Sequence, residues 1–164
     1  MNVPDGERSA QVEWGRVPEP ILEMLRILSE KAAHDSAHLQ RMKWPEGPQD
    51  VQDLLGRALS DAHKVTKASN EIRSLLSAYA HHFHQPRPVL AGLARAQETT
   101  SQGFVRRYSD VTVSGIESLL SSEPDIELIR RSFPSASLHD LSTMEGAVGK
   151  AATDAIAARR AARA

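Results

Sequence analysis

The chain has 164 residues, of which 40% are hydrophobic, 4% aromatic and 25% charged, with a formal net charge of −1 and no Cys. It holds no run of about 18 apolar residues and so no candidate membrane span. The missing cysteines exclude disulfide scaffolds, thiol catalysis and Cys-ligated zinc. The opening MNVPDGERSA has neither a basic nor an apolar signal region, so a cytoplasmic protein is expected. The net charge argues against a chain that is basic throughout but leaves room for a local basic face. Residues 1–86 carry 10 basic and 12 acidic groups, and residues 87–164 carry 10 and 9. Within 87–110, Arg87, Arg95, Arg106 and Arg107 face only Glu98 and Asp110.

Residues 1–18 contain Pro4, Gly6, Gly15 and Pro18 without an apolar period, and read as a flexible arm on which Trp14 and Val17 could dock. A helix is expected from Pro18 to about Arg41, with Pro20 in its first turn. Ile21, Leu25, Leu28 and Ala32 make one apolar stripe, which Leu22 broadens. Trp44-Pro-Glu-Gly-Pro48 ends that helix.

The next segment runs without Pro from Pro48 to about His84. Val51, Leu55, Ala58, Ala62, Val65, Ser69, Ile72, Leu76, Tyr79 and Phe83 alternate three and four apart, a heptad seam of coiled-coil type. Leu54, Ala68 and Leu75 flank it. A helix of this length would span roughly 50 Å. It either breaks near Thr66–Asn70 or packs against a second subunit, and a homodimer is the expectation. The alternative is that the 20–41 helix folds back over the seam within one chain.

Beyond Gln85-Pro-Arg-Pro88 the elements are shorter. Helices are expected over 88–97, 100–108 and 112–122, the last with Ile116, Leu119 and Leu120 inward. Another should start at Ser122 or Glu123, with Pro124 in its first turn and Ile126, Ile129 and Phe133 on its apolar face. A final helix should run from Ser135 or Ser137 through the Ala-rich end, fraying at its tip. Tyr79, Phe83, Phe104 and Tyr108 are four of the seven aromatics, which marks their junction as the expected core.

The segment 87–108 reads RPVLAGLARAQETTSQGFVRRY. Leu90, Leu93, Ala94 and Ala96 suit a short helix that another can approach closely. Gln97-Glu98-Thr99 interrupts it, and Thr99 or Thr100 is a natural N-cap for the next. That second helix turns Phe104, Val105 and Tyr108 inward and leaves Ser101, Gln102, Arg106 and Arg107 to solvent. Ser and Gln can reach base edges, and Arg contacts guanine or phosphate. LARAQETTSQGFVRRY resembles the helix-turn-helix of bacterial transcription regulators. Leu93-Ala94-Arg95-Ala96 matches the first helix of that motif, and Ser101-Gln102-Gly103 with Val105-Arg106-Arg107-Tyr108 matches the recognition helix. The usual Gly of the turn is absent, and the turn is about one residue longer. The resemblance implies double-stranded DNA as partner, with Gln102, Arg106 and Arg107 as principal contacts and Thr100 and Ser101 as phosphate or capping contacts.

The histidines are weaker signals. His34 and His38 lie four apart, and His81, His82 and His84 cluster at the end of the long helix, where they suit the helix dipole. Neither set is read as a metal site. No Gly-rich loop follows a strand, no Ser sits in a nucleophile elbow, and Glu117, Glu123 and Glu127 form no di-iron pattern. No enzyme activity and no cofactor are expected. The expected fold is all-α: a flexible arm over 1–18, a helical assembly region over 19–84, and a helix-turn-helix with C-terminal helices over 85–164. The competing reading is a helical protein–protein interaction module without DNA contact.

Overall fold

A computed structural model of the chain describes residues 15–164, apart from the Gln49 side chain. Most of the expected arm, Trp14 included, lies outside the described residues. Among those described the fold is all-α, with eight helices and no strand. None of these helices is long and apolar enough to cross a membrane.

Helix α1 (Glu19–Gln40) starts after Pro18 with Pro20 in its first turn, as expected. Ile21, Met24, Ile27 and Leu28 form its buried stripe, while Leu22 stays exposed. The expectation that Leu22 broadens the inner face was wrong; Met24 and Ile27 do so instead.

Helix α2 (Pro48–His82) is continuous, with no break at Thr66–Asn70. It packs antiparallel along α1, so the alternative in which the first helix folds back over the second within one chain is the observed one. The covered face is rotated from the expected seam. Val51, Ala58, Val65 and Ile72 are half-buried and Tyr79 is buried, but Leu55, Ala62, Ser69 and Leu76 are exposed. The second inner column is Leu54, Asp61, Ala68 and Leu75, one residue earlier. Buried polar side chains of α2 find partners on other elements. Asp61 meets the His38 imidazole of α1, with Lys64 at 4.0 Å. Glu71, also buried, accepts from the Ser135 N–H at 2.8 Å and from its hydroxyl, which holds the 134–137 turn against α2.

Residues 15–18 are tied to the far end of α2. The Gly15 N–H donates to the Gln85 carbonyl at 2.6 Å, and the Tyr79 hydroxyl donates to the Arg16 carbonyl at 3.3 Å.

Four helices complete the body: α5 (Asp110–Leu119), α6 (Ile126–Ser132), α7 (Leu138–Ser142) and α8 (Gly146–Ala162). Ile116, Leu119 and Leu120 are buried as expected, as are Ile126, Ile129 and Phe133. Helix α6 begins later than Ser122–Glu123, because the Asp125 carboxylate caps it by accepting the Leu128 N–H at 3.1 Å. Helices α5 and α6 cross closely at Gly115, where an added Cβ would stand 2.5 Å from Ser132 Cβ.

The single C-terminal helix of the sequence reading is two helices. Ser137 and Asp140 form a capping box at the start of α7. The chain then turns at Thr143–Glu145, and Gly146 takes a φ of +74° as α8 begins. Gly149 backs onto this turn: a Cβ there would stand 1.7 Å from the Met144 carbonyl oxygen.

The main core lies between α1, α2, α5, α6, α7 and α8, around Leu28, Leu75, Ile116, Ile129, Phe133 and Val148. The aromatic junction is not its centre. Phe104 is buried outside this cluster, while Phe83 and Tyr108 are half-buried at its edge.

Candidate nucleic-acid interface

The segment singled out in the sequence folds as two short helices at a corner, α3 (Leu90–Ala96) and α4 (Ser101–Val105). Between them Glu98 adopts a φ of +53°. This is the left-handed conformation that a glycine would ordinarily supply in such a turn. The sequence lacks that glycine, and a glutamate takes its geometry.

Thr100 is the N-cap of α4: its hydroxyl oxygen accepts the Gly103 N–H at 3.0 Å. That use leaves the hydroxyl proton available to an outside acceptor. Gly103 permits the tight first turn, since a Cβ there would lie 2.0 Å from the Thr99 hydroxyl oxygen.

Of the apolar residues expected to face inward, Phe104 alone is buried; Tyr108 is half-buried, and Val105 is exposed. The Phe104 ring meets His81 and Tyr108 edge-on, at centroid distances of 6.2 and 6.3 Å. The Tyr108 hydroxyl bonds His81 Nδ1 and stands 3.2 Å from His82 Nε2. One phenol thus ties the end of α2 to the turn after α4. The Ser74 hydroxyl adds a second tie, donating to the Arg107 carbonyl at 2.9 Å.

These contacts set the electrostatics. The His81 pKa lies below the ordinary histidine value, first through burial and then through His82 and Arg87 nearby. Burial pushes the Tyr108 and Tyr79 phenols up. His84 does not meet His81; its Nδ1 pairs with the Tyr79 hydroxyl at 2.8 Å.

Thr100, Ser101, Gln102, Arg106 and Arg107 are all exposed. Ser101 and Gln102 occupy the first turn of α4, while Arg106 is its C-cap and Arg107 follows in the turn. The expected helix over 100–108 is therefore shorter: five residues, a rod of about 7.5 Å. Neither arginine has an ion-pair partner among the described residues.

No family model, curated protein or solved structure matches this chain. Among the described residues no group of three His, Asp or Glu side chains is placed to hold a metal ion. His38 is engaged by Asp61, and His34 lies on the surface near Glu30 and His139.

Sequence reasoning missed Arg73, Ser77 and Gln97, which line a groove between α2 and the α3–α4 corner. Ser69, Arg73, Leu76 and Ala80 recur four, seven and eleven residues along α2, so the groove wall was present as a helical period. Ser69 and Leu76 were read instead as part of a seam buried by another helix.

Proposed function

We propose that the chain is a double-stranded DNA-binding protein, a transcriptional regulator that acts as a homodimer through the 88–108 segment. The carrying observation is the placement of Arg106 and Arg107. Both are exposed and without ion-pair partners among the described residues, on a turn fixed to α2 by Ser74 and Tyr108. The anchored backbone holds both arginines at the surface, where their guanidinium groups can meet phosphates. The shortness of α4 shapes the mode. A rod of about 7.5 Å cannot line a major groove over several base pairs. Phosphate contacts from Arg106 and Arg107 dominate, Thr100 adds a hydroxyl, and base contact is confined to Ser101 and Gln102.

Support for a dimer comes from the other end of α2. His38, near the end of α1, lies against Asp61, so about three turns of α2 extend past α1. Leu55 and Leu59 there are 48% and 70% exposed. Exposed leucines one turn apart on a projecting helix suit a symmetric contact with a second copy.

The test is a fluorescence-anisotropy titration of labelled duplex DNA at about 50 mM salt, where phosphate contacts are strongest. Wild type should bind, and the Arg106→Ala/Arg107→Ala double variant should lose most of that affinity. Absence of binding to any duplex refutes the reading. The same Leu55 and Leu59 favour a second reading, a helical protein–protein module without DNA contact. It predicts assemblies that the double variant leaves unchanged and no DNA affinity in either protein.

A further inference from the structure

The groove between α2 and the α3–α4 corner has a volume of about 320 Å³. Its walls are mostly apolar: Leu76 and Ala80 from α2, Leu93 and Ala96 from α3, and Phe104 from α4. Two polar features stand out against that lining. Arg73 is exposed at the groove and has no ion-pair partner among the described residues. Gln97 uses its Nε2 to donate to Ser77 Oγ at 3.0 Å, which leaves its Oε1 shielded from solvent with no donor. Turning the amide over would only orphan its nitrogen instead, so one end of Gln97 stays unmatched either way.

We propose that this groove is a binding site for a compact ring acid: a planar apolar ring with one N–H or O–H donor and a carboxylate on a short arm. The three features match three parts of such a molecule. The Arg73 guanidinium receives the carboxylate in a charge-assisted pair. A small rotation of the Gln97 amide brings Oε1 to the ring's donor. The ring lies against Leu76, Leu93 and Phe104. The volume sits at the lower end of the range of about 300–1,000 Å³ for small-molecule sites, which favours one ring system over an extended ligand. A helix from another protein fits less well, because an apolar helix face would cover Arg73 without neutralising it. None of the five candidate DNA-contacting residues lines this groove, so the site stands independently of the DNA reading.

The test uses the full chain, with indole-3-acetate and 4-hydroxyphenylacetate as probes, followed by calorimetry and ligand-observed NMR. At least one should bind saturably. Arg73→Gln should weaken the bound probe about tenfold, the size expected for one charge-assisted hydrogen bond. Arg95→Gln, outside the groove on the same corner, should leave it unchanged. Blocking the donor, as in 1-methylindole-3-acetate or 4-methoxyphenylacetate, should weaken binding in wild type but not in Gln97→Leu. Failure of both probes to bind overturns the proposal. So does binding that Arg73→Gln leaves intact. A third contrary result is a dimer that Leu76→Asp converts to monomer, since a second copy would then fill the groove. DNA titration of the same samples reports on the DNA reading separately.

Discussion

The His38 imidazole of α1 meets the Asp61 carboxylate of α2, and the carboxylate is buried while the imidazole stands in solvent. This pair joins the two helices near the end of α1. It also occupies the one polar position in the Leu54–Asp61–Ala68–Leu75 column. Removing the partner and removing the charge should therefore act in opposite directions. His38→Ala leaves a buried carboxylate with only Lys64 nearby and should cost about 1 kcal/mol in urea unfolding. Asp61→Leu completes the apolar column and should leave stability equal or higher. A loss above about 1 kcal/mol in Asp61→Leu would show that the pair stabilises the fold on balance.

Gly149 and Gly56 both occupy helix interiors and should respond to alanine with opposite signs. At Gly56 nothing lies within 4 Å of an added Cβ, so Gly56→Ala should gain about 0.5–1 kcal/mol from propensity alone. At Gly149 the Cβ would collide with the Met144 carbonyl, which is backbone and cannot turn aside. Gly149→Ala should lose about 2–3 kcal/mol despite the better helix former. Thermal melts of the two variants decide this, and a stabilised Gly149→Ala would contradict the α7–α8 turn described here.

Glu98 stands at a φ of +53° in the turn before α4. A left-handed residue other than glycine costs roughly 1–2 kcal/mol, partly offset for glycine by its freer unfolded chain. Glu98→Gly should gain about 0.5 kcal/mol, and the β-branched Glu98→Val should lose about 1 kcal/mol or more. Equal melting temperatures for the two would contradict the turn geometry.

His81 gives the corner a pH dependence of known sign. Its folded pKa lies below the ordinary 6.5, mainly through burial, so the unfolded chain binds a proton more readily. The neutral imidazole's contribution is complete above about pH 6.5 and is lost as the pH falls through the lower folded value. The pH dependence should vanish selectively in His81→Phe, which keeps a ring beside Phe104 and Tyr108. The stability of wild type relative to that variant should fall between about pH 7.5 and pH 5. A difference that stays flat, or grows on acidification, would contradict the assigned shift.

The helical segments, their Pro and Gly boundaries, and the two-helix corner at 90–105 were legible in the sequence. The phase of α2 was not. Asp61 and Glu71 put charged residues on the buried face, while Leu55, Leu59 and Leu76 put leucines on the open one. Periodicity therefore pointed one residue away. Both buried carboxylates are matched by groups remote in sequence, His38 and Ser135, which a local pattern cannot reveal. The break between α7 and α8 was missed because the Ala-rich stretch beyond it favours helix and masks the stop, where Thr143 caps the end of α7 and Gly146 enters α8 at a positive φ. At the candidate site Ser101, Gln102, Arg106 and Arg107 lie exposed as expected, and Thr100 is the N-cap of α4. The length of α4 did not, because Arg106 caps the helix before the arginines complete another turn.

The central claim is that Arg106 and Arg107 bind DNA phosphates, and the salt dependence of duplex affinity tests it most directly. The logarithm of the association constant should fall linearly with the logarithm of salt concentration, by about 0.9 for each phosphate neutralised. The Arg106→Ala/Arg107→Ala variant should show a slope shallower by about 2. Identical slopes for the two proteins, or no measurable binding at about 50 mM salt, would contradict the account.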